Sequence, residues 1–134
     1  MKILGIEHVA VAVEDREEPA MVFQRLLGLQ DRRTETVADQ QVITDIFNTG
    51  RGKVELLEAT TPDSPVARFI AKRGPGIHHI AFLVDDLPAW LRHLKQQGVE
   101  LLDSEPRRGA EGYQIAFLHP RSTAGILVEL CQKS

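Results

Sequence analysis

The feature that most constrains this chain is that it repeats itself. His8-Val9-Ala10-Val11-Ala12-Val13-Glu14-Asp15 aligns with His79-Ile80-Ala81-Phe82-Leu83-Val84-Asp85-Asp86, a histidine, five residues of strand character and two acids, at an offset of 71 (8 to 79). Val54-Glu55-Leu56-Leu57 aligns with Val128-Glu129-Leu130-Cys131 at an offset of 74 (55 to 129). The offsets differ by three residues, which one loop insertion absorbs. A period of this kind means one supersecondary unit built twice, and it governs every later assignment.

The same elements follow in the same order in both halves. Each histidine strand leads to a helical stretch: Glu17 to Leu27, with Met21, Val22, Leu26 and Leu27 at helical spacing, and Leu87 to Gln97, with Leu87, Trp90, Leu91 and Leu94. Gly28 and Gly98 are their stops, and the acidic pairs before them are their caps. Three strands then follow in each half, near Leu29 to Thr36, Val42 to Asn48 and Lys53 to Glu58, and near Val99 to Leu102, Tyr113 to Leu118 and Gly125 to Leu130. Thr60 to Gly76 connects the halves, with Pro62, Pro65 and Pro75 around a short helix at Val66 to Lys72. The expected fold is α+β. Two tandem βαβββ modules, about 1–60 and 77–134 with a connector of about 61–76, form a curved mixed sheet around a groove within one domain. One unit alone has too little helix to bury both faces of its strands.

Composition narrows the function. A chain of 134 residues, 43% hydrophobic, suits a single domain. Sixteen Lys and Arg against 19 Asp and Glu, with one Trp and one Tyr, leave no basic stripe or stacking platform, so nucleic acid is not an expected partner. Apolar runs such as Val9 to Val13 are far too short to span a bilayer, and Met1-Lys2 runs straight into a strand pattern; no membrane and no export are expected. Cys131 is the single cysteine, in an apolar run, and reads as a core residue in a cytoplasmic protein.

The chemistry lies in His8, Glu55, His79 and Glu129. A lone histidine at a strand start is ordinarily a capping or surface residue, and a lone glutamate in a strand is ordinarily solvated. Both recur at repeat-equivalent positions. A glutamate within an apolar strand is costly to bury unless it is paired or metal-bound. If the repeats bring these strands to one groove, mixed imidazole and carboxylate ligation suits one borderline divalent ion such as Co²⁺, Ni²⁺, Mn²⁺, Fe²⁺ or Zn²⁺. Of the pair His78 and His79, the alignment selects His79 and leaves His78 facing the other way. His93 and His119 read as helix-surface and turn residues, and Arg107 and Arg108, in a Pro/Gly-rich loop, as solvated side chains ahead of the alternative that they meet phosphates.

These segments resemble the vicinal oxygen chelate, or glyoxalase, superfamily and, within it, the methylmalonyl-CoA epimerase family. The resemblance runs from Ile6-Glu7-His8-Val9-Ala10-Val11-Ala12-Val13 through Lys53-Val54-Glu55-Leu56-Leu57, Asp63-Ser64-Pro65-Val66-Ala67 and Gly76-Ile77-His78-His79-Ile80-Ala81-Phe82. It ends in Phe117-Leu118-His119-Pro120 and Gly125-Ile126-Leu127-Val128-Glu129-Leu130. It implies metal ligation by His8, Glu55, His79 and Glu129, with Glu55 where other members have Gln or Glu. It implies interconversion of (2R)- and (2S)-methylmalonyl-CoA by proton abstraction at C2 through a metal-chelated enolate, within propionate metabolism, in a homodimer whose partner is a small acyl-CoA. Inversion needs an acid and a base on opposite faces of the substrate. The resemblance assigns them to Glu129 and, where the family has Glu, to Asp39. A lactoylglutathione lyase of the glyoxalase I type is the nearest rival, favoured by Glu55. A metal-free binding protein of the same fold is disfavoured by the intact ligand set, and an extradiol dioxygenase by the fourth carboxylate.

Overall fold

A computed structural model describes residues 1–134. Its strands are β1 (Ile3–Ala12), β2 (Arg32–Val37), β3 (Val42–Asn48), β4 (Lys53–Ala59), β5 (Gly76–Val84), β6 (Arg107–Arg108), β7 (Gln114–Leu118) and β8 (Val128–Gln132). Its α-helices are α1 (Glu17–Met21), α2 (Pro65–Arg73) and α3 (Leu87–Gln96). The strands hydrogen-bond in the order β2-β3-β4-β1-β5-β8-β7-β6. In each repeat the histidine strand pairs in parallel with the glutamate strand, β1 with β4 and β5 with β8, and the β2–β3, β3–β4, β6–β7 and β7–β8 ladders are antiparallel. This is the mixed sheet of two βαβββ modules that the repeat predicts.

The chain forms two compact units. One comprises His8–His78; the other comprises His79–Ser134 together with Met1–Glu7, so β1 contributes its first residues to one unit and His8 onward to the other. In the His8–His78 unit, Val13, Ala20, Phe47 and Leu56 make a buried cluster with Phe23, Val11 and Leu29 against it. In the His79–Ser134 unit, Val84, Leu87, Leu91, Ala116, Leu118 and Leu130 pack with Trp90 and Leu94 of α3. Burying one such side chain stabilises by roughly 1.5–3 kcal/mol.

The helix signals act as their chemistry requires. Asp86 caps α3 by accepting the Ala89 N–H at 3.1 Å, and Ser64 caps α2 by accepting the Val66 N–H at 3.2 Å, with Pro65 at the first helical position. Asp15 accepts the Glu17 N–H at 2.9 Å at the start of α1. No helix is long and apolar enough to cross a membrane.

The sequence reading needs correction at two elements. The single helix expected over Glu17 to Leu27 is five residues of α1 followed by a wider π-helical turn, Val22–Leu26. The extra residue in that turn shifts the helical phase, and Leu26 and Leu27 are 76% and 62% exposed. Ala20, Phe23 and Leu29 take the core positions instead. The strand expected at Val99 to Leu102 reduces to one bridge, Leu101 to Leu118, and regular pairing begins at Arg107–Arg108. Asp103 explains the break: its side chain accepts the Phe117 N–H at 2.8 Å, so a carboxylate stands where a strand carbonyl would.

Candidate active site: a histidine–glutamate pair built twice

Strand alternation divides each unit's sheet into two faces. On β4, Leu56 packs with Phe47 and Ala20 beneath α1, and Glu58 accepts the Arg16 N–H at 2.9 Å on that same side. Glu55 therefore faces away from the helix. His8 does too, and its Nδ1 lies 3.1 Å from Glu55 Oε2, with both residues buried. The other unit repeats the arrangement. Leu130 of β8 joins the core under α3, so Glu129 faces away, and His79 Nε2 lies 3.2 Å from Glu129 Oε1, again with both buried.

The surroundings of the second pair are apolar and aromatic. Ala81, Ile115, Phe117 and Cys131 form a buried cluster on that face, and Phe117, the ladder partner of Glu129, meets the His79 ring edge-on at 5.1 Å. The edge contact limits rotation of the imidazole. His78 faces the other way and packs edge-on against Phe69 of α2 at 4.9 Å, as alternation from His79 requires.

Donor atoms 3.1 and 3.2 Å apart have the spacing of neighbouring ligands on one ion. Two bonds of about 2.1 Å at a right angle end about 3 Å apart. Each pair is also a carboxylate and an imidazole withdrawn from water, and neither type is buried at low cost without a cation or a proton between them. The donor set fits a divalent metal of borderline softness.

Asp39 belongs to neither pair. It lies in the 3₁₀ turn Ala38–Gln40 that joins β2 to β3, and it is exposed. That turn is fixed from behind: Thr60 N–H donates to the Gln41 carbonyl at 2.9 Å, and Ser64 Oγ–H donates to the Gln40 carbonyl at 3.5 Å. The residue that caps α2 thus also holds the Asp39 turn. Ile46 and Phe117 occupy matching places opposite Glu55 and Glu129, an offset of 71, so the counterpart of Asp39 is Ala110. Only one repeat carries a carboxylate there.

The sequence reading missed Asp45. This residue of β3 is fully buried on the helix-facing side. It accepts hydrogen bonds from Arg16 at 3.0 Å, Arg32 at 2.9 Å and Thr34 at 2.7 Å. Its signal was the same as that of Glu55, an acid inside an apolar strand, Val42-Ile43-Thr44-Asp45-Ile46-Phe47, but without a repeat to mark it. His119 caps a turn by accepting the Arg121 N–H at 3.0 Å, in keeping with its reading as a turn residue.

Residues 7–117 match the model of the Glyoxalase/Bleomycin resistance protein/Dioxygenase superfamily, and the chain belongs to it. A human mitochondrial methylmalonyl-CoA epimerase is 38% identical over 128 residues, 95% of this chain and 73% of the relative. The ethylmalonyl-CoA/methylmalonyl-CoA epimerase of Cereibacter sphaeroides is 38% identical over 129 residues, 95% of this chain and 96% of its own. Among solved structures, a variant of Streptomyces coelicolor methylmalonyl-CoA epimerase in complex with 2-nitronate-propionyl-CoA superposes with a TM-score of 0.92 at 33% identity, covering 99% of both chains. Within the superfamily, the chain belongs to the methylmalonyl-CoA epimerases, which are isomerases.

Proposed function

We propose that the two histidine–glutamate pairs serve one divalent metal ion, and that the chain epimerises 2-methylmalonyl thioesters of CoA at C2. The observation that carries this reading is the duplication itself: the same buried pair, on matching strands, in both repeats. Relatives at this identity that carry the name of such an epimerase, and a neighbour that holds an acyl-CoA analogue, support the substrate class. Bound there, the ion supplies Lewis-acid stabilisation of the negative charge that develops on the substrate's oxygens when the C2 proton leaves.

The remaining work falls to the chain's own groups. One residue that took the proton and returned it on the same face would only regenerate the starting epimer. Inversion therefore uses two, and Glu129 and Asp39 are assigned to opposite faces of C2. Glu129 combines ligation with proton transfer. Asp39, on its own braced turn, is one methylene shorter than the family's glutamate, and proton transfer requires hydrogen-bond reach. The pinning of its turn by Thr60 and Ser64 limits how far that carboxylate strays. Cobalt as the ion, a cytoplasmic location for a chain whose single cysteine is buried, and a homodimer that covers the exposed Met21, Val22, Leu26 and Leu27 belong to the same proposal.

The test is turnover of a single epimer of methylmalonyl-CoA in D₂O. Deuterium should appear at C2 of the epimer formed, because the proton removed and the proton delivered belong to different groups. Asp39→Asn should retain the metal and lose roughly 10²–10⁴ in rate, the usual cost of a lost acid or base. Glu55 favours one other reading, a glyoxalase I type isomerase. Rapid turnover of the methylglyoxal–glutathione hemithioacetal, with no deuterium entering either epimer, would establish that reading in place of the epimerase.

A further inference from the structure

We infer that Arg107 recognises the free carboxylate of the thioester substrate and so sets the preference for malonyl-type over simple acyl thioesters. The inference rests on the epimerase reading above and deepens it.

The ladder gives the first argument. Antiparallel pairing sets Arg107 opposite Ile115 and Arg108 opposite Gln114. Directly opposed residues share a face. Ile115 belongs to the cluster with Ala81, Phe117 and Cys131, on the face that carries His79 and Glu129. Arg107 therefore stands on the site face and Arg108 on the other.

The second argument is how the side chain is held. Arg107 Nε donates to Asp103 Oδ1 at 3.0 Å, and the other oxygen of Asp103 accepts the Phe117 N–H at 2.8 Å. The guanidinium carbon lies 5.7 Å from the centre of the Phe117 ring, the same ring that contacts His79. The side chain is thus tied to β7 through Asp103 and lies over the Phe117 ring. Its two Nη groups are taken up by no protein acceptor, and the side chain is 36% exposed. An oriented guanidinium with an open fork is suited to a carboxylate, which it can bind through two parallel hydrogen bonds.

The third argument is charge. Glu55 and Glu129 together neutralise a divalent ion, so a substrate carboxylate enters a centre with no net positive charge, and charge developing at C2 adds to the excess. One cation on the same face offsets this. The place is filled once only: Thr44, the counterpart of Ile115 at an offset of 71, pairs with Glu35, so the other repeat carries the opposite charge at this position.

The experiment compares the affinities of malonyl-CoA and propionyl-CoA, which differ in the free carboxylate, for the metal-loaded protein by calorimetry. The parent should prefer malonyl-CoA. Arg107→Met, which keeps an apolar stem over Phe117, should reduce that preference about 10- to 100-fold while leaving propionyl-CoA binding unchanged. Arg107→Lys, which keeps the charge without the fork, should fall between. If both ligands weaken together, Arg107 serves the part of CoA they share and the inference fails; it fails equally if the preference survives both substitutions. Failure of the underlying epimerase reading looks different, because the unsubstituted protein would then bind neither ligand.

Discussion

Beneath α1, the sheet buries a carboxylate: Asp45, with no exposed surface, held by Arg16, Arg32 and Thr34. At the matching place beneath α3, across from Leu130 as Asp45 is across from Leu56, stands Ala116 in a wholly apolar cluster. The helices differ accordingly. α3 is ten regular residues presenting Leu87, Trp90, Leu91 and Leu94, whereas α1 is five residues and a π-helical turn, with Arg16 at its start reaching down to Asp45. Two copies of one unit have kept the histidine–glutamate pair and diverged in what supports it. The face with the pairs admits few solutions, because a buried imidazole and a buried carboxylate are costly unless each has the other as a partner. The helix face admits many, because dispersion and charge pairing can both fill a space of similar size.

The largest effect should come from breaking the pair in either repeat. If both pairs serve one ion, His8→Ala and His79→Ala should each abolish tight metal binding, measured by metal analysis after dialysis, while His78→Ala retains about one ion per chain. Retention of metal by one of the two site variants but not the other would mean that a single repeat holds the ion.

Next in size is the asymmetry of the helix faces. Asp45→Asn leaves two arginines facing a neutral partner, and breaking a buried pair in this way costs about 3–5 kcal/mol. Urea denaturation of that variant gives the figure directly. A loss below about 1 kcal/mol would make the network a passive filling of space, no different in kind from Ala116.

A smaller effect is expected where the Arg107 loop turns back into β7. A Cβ at Gly109 would lie 2.8 and 2.9 Å from side-chain carbons of Ile115, so Gly109→Ala must displace a buried residue of the site face. Overpacking of this kind costs about 1–3 kcal/mol. Thermal unfolding checks the stability, and the expected companion is weaker malonyl-CoA binding.

The smallest lies at the second acidic pair. The Lys2 N–H donates to Asp85 at 2.9 Å and holds its carboxyl below the usual carboxylate value, whereas Glu14 at the corresponding place is exposed and makes no such bond. A depressed folded-state value contributes stability above the unfolded pKa of about 3.9 and loses it as the pH falls through the folded one. Asp85→Asn should therefore lower stability slightly at neutral pH and not at all in strong acid, and Glu14→Gln should do nothing at either. Equal effects of the two substitutions would remove this difference between the repeats.

Periodicity in the chain was enough to point to the repeated unit, most of its strands and helices, and the two histidine–glutamate pairs that the fold brings into contact. A His–Glu pair at matching places needs no coordinates to be noticed, since alternation along a strand fixes which neighbours share its face. Helix limits were legible where caps and glycine stops are local, as at Asp86 and Gly98. What the linear pattern left open was decided by contacts between residues distant in sequence. The π-helical turn moved Leu26 and Leu27 out of the core, because phase within a helix depends on how it packs. The strand expected at Val99 gave way because Asp103 reached a backbone donor fourteen residues on. Asp45 and Arg107 appear in sequence as an isolated acid and a solvated loop cation. They became a buried hub and an oriented guanidinium only when folding gave them Arg16 and Arg32 in one case, Asp103 and Phe117 in the other. A charged side chain takes its meaning from its partner and its distance from water, and the tertiary structure supplies both.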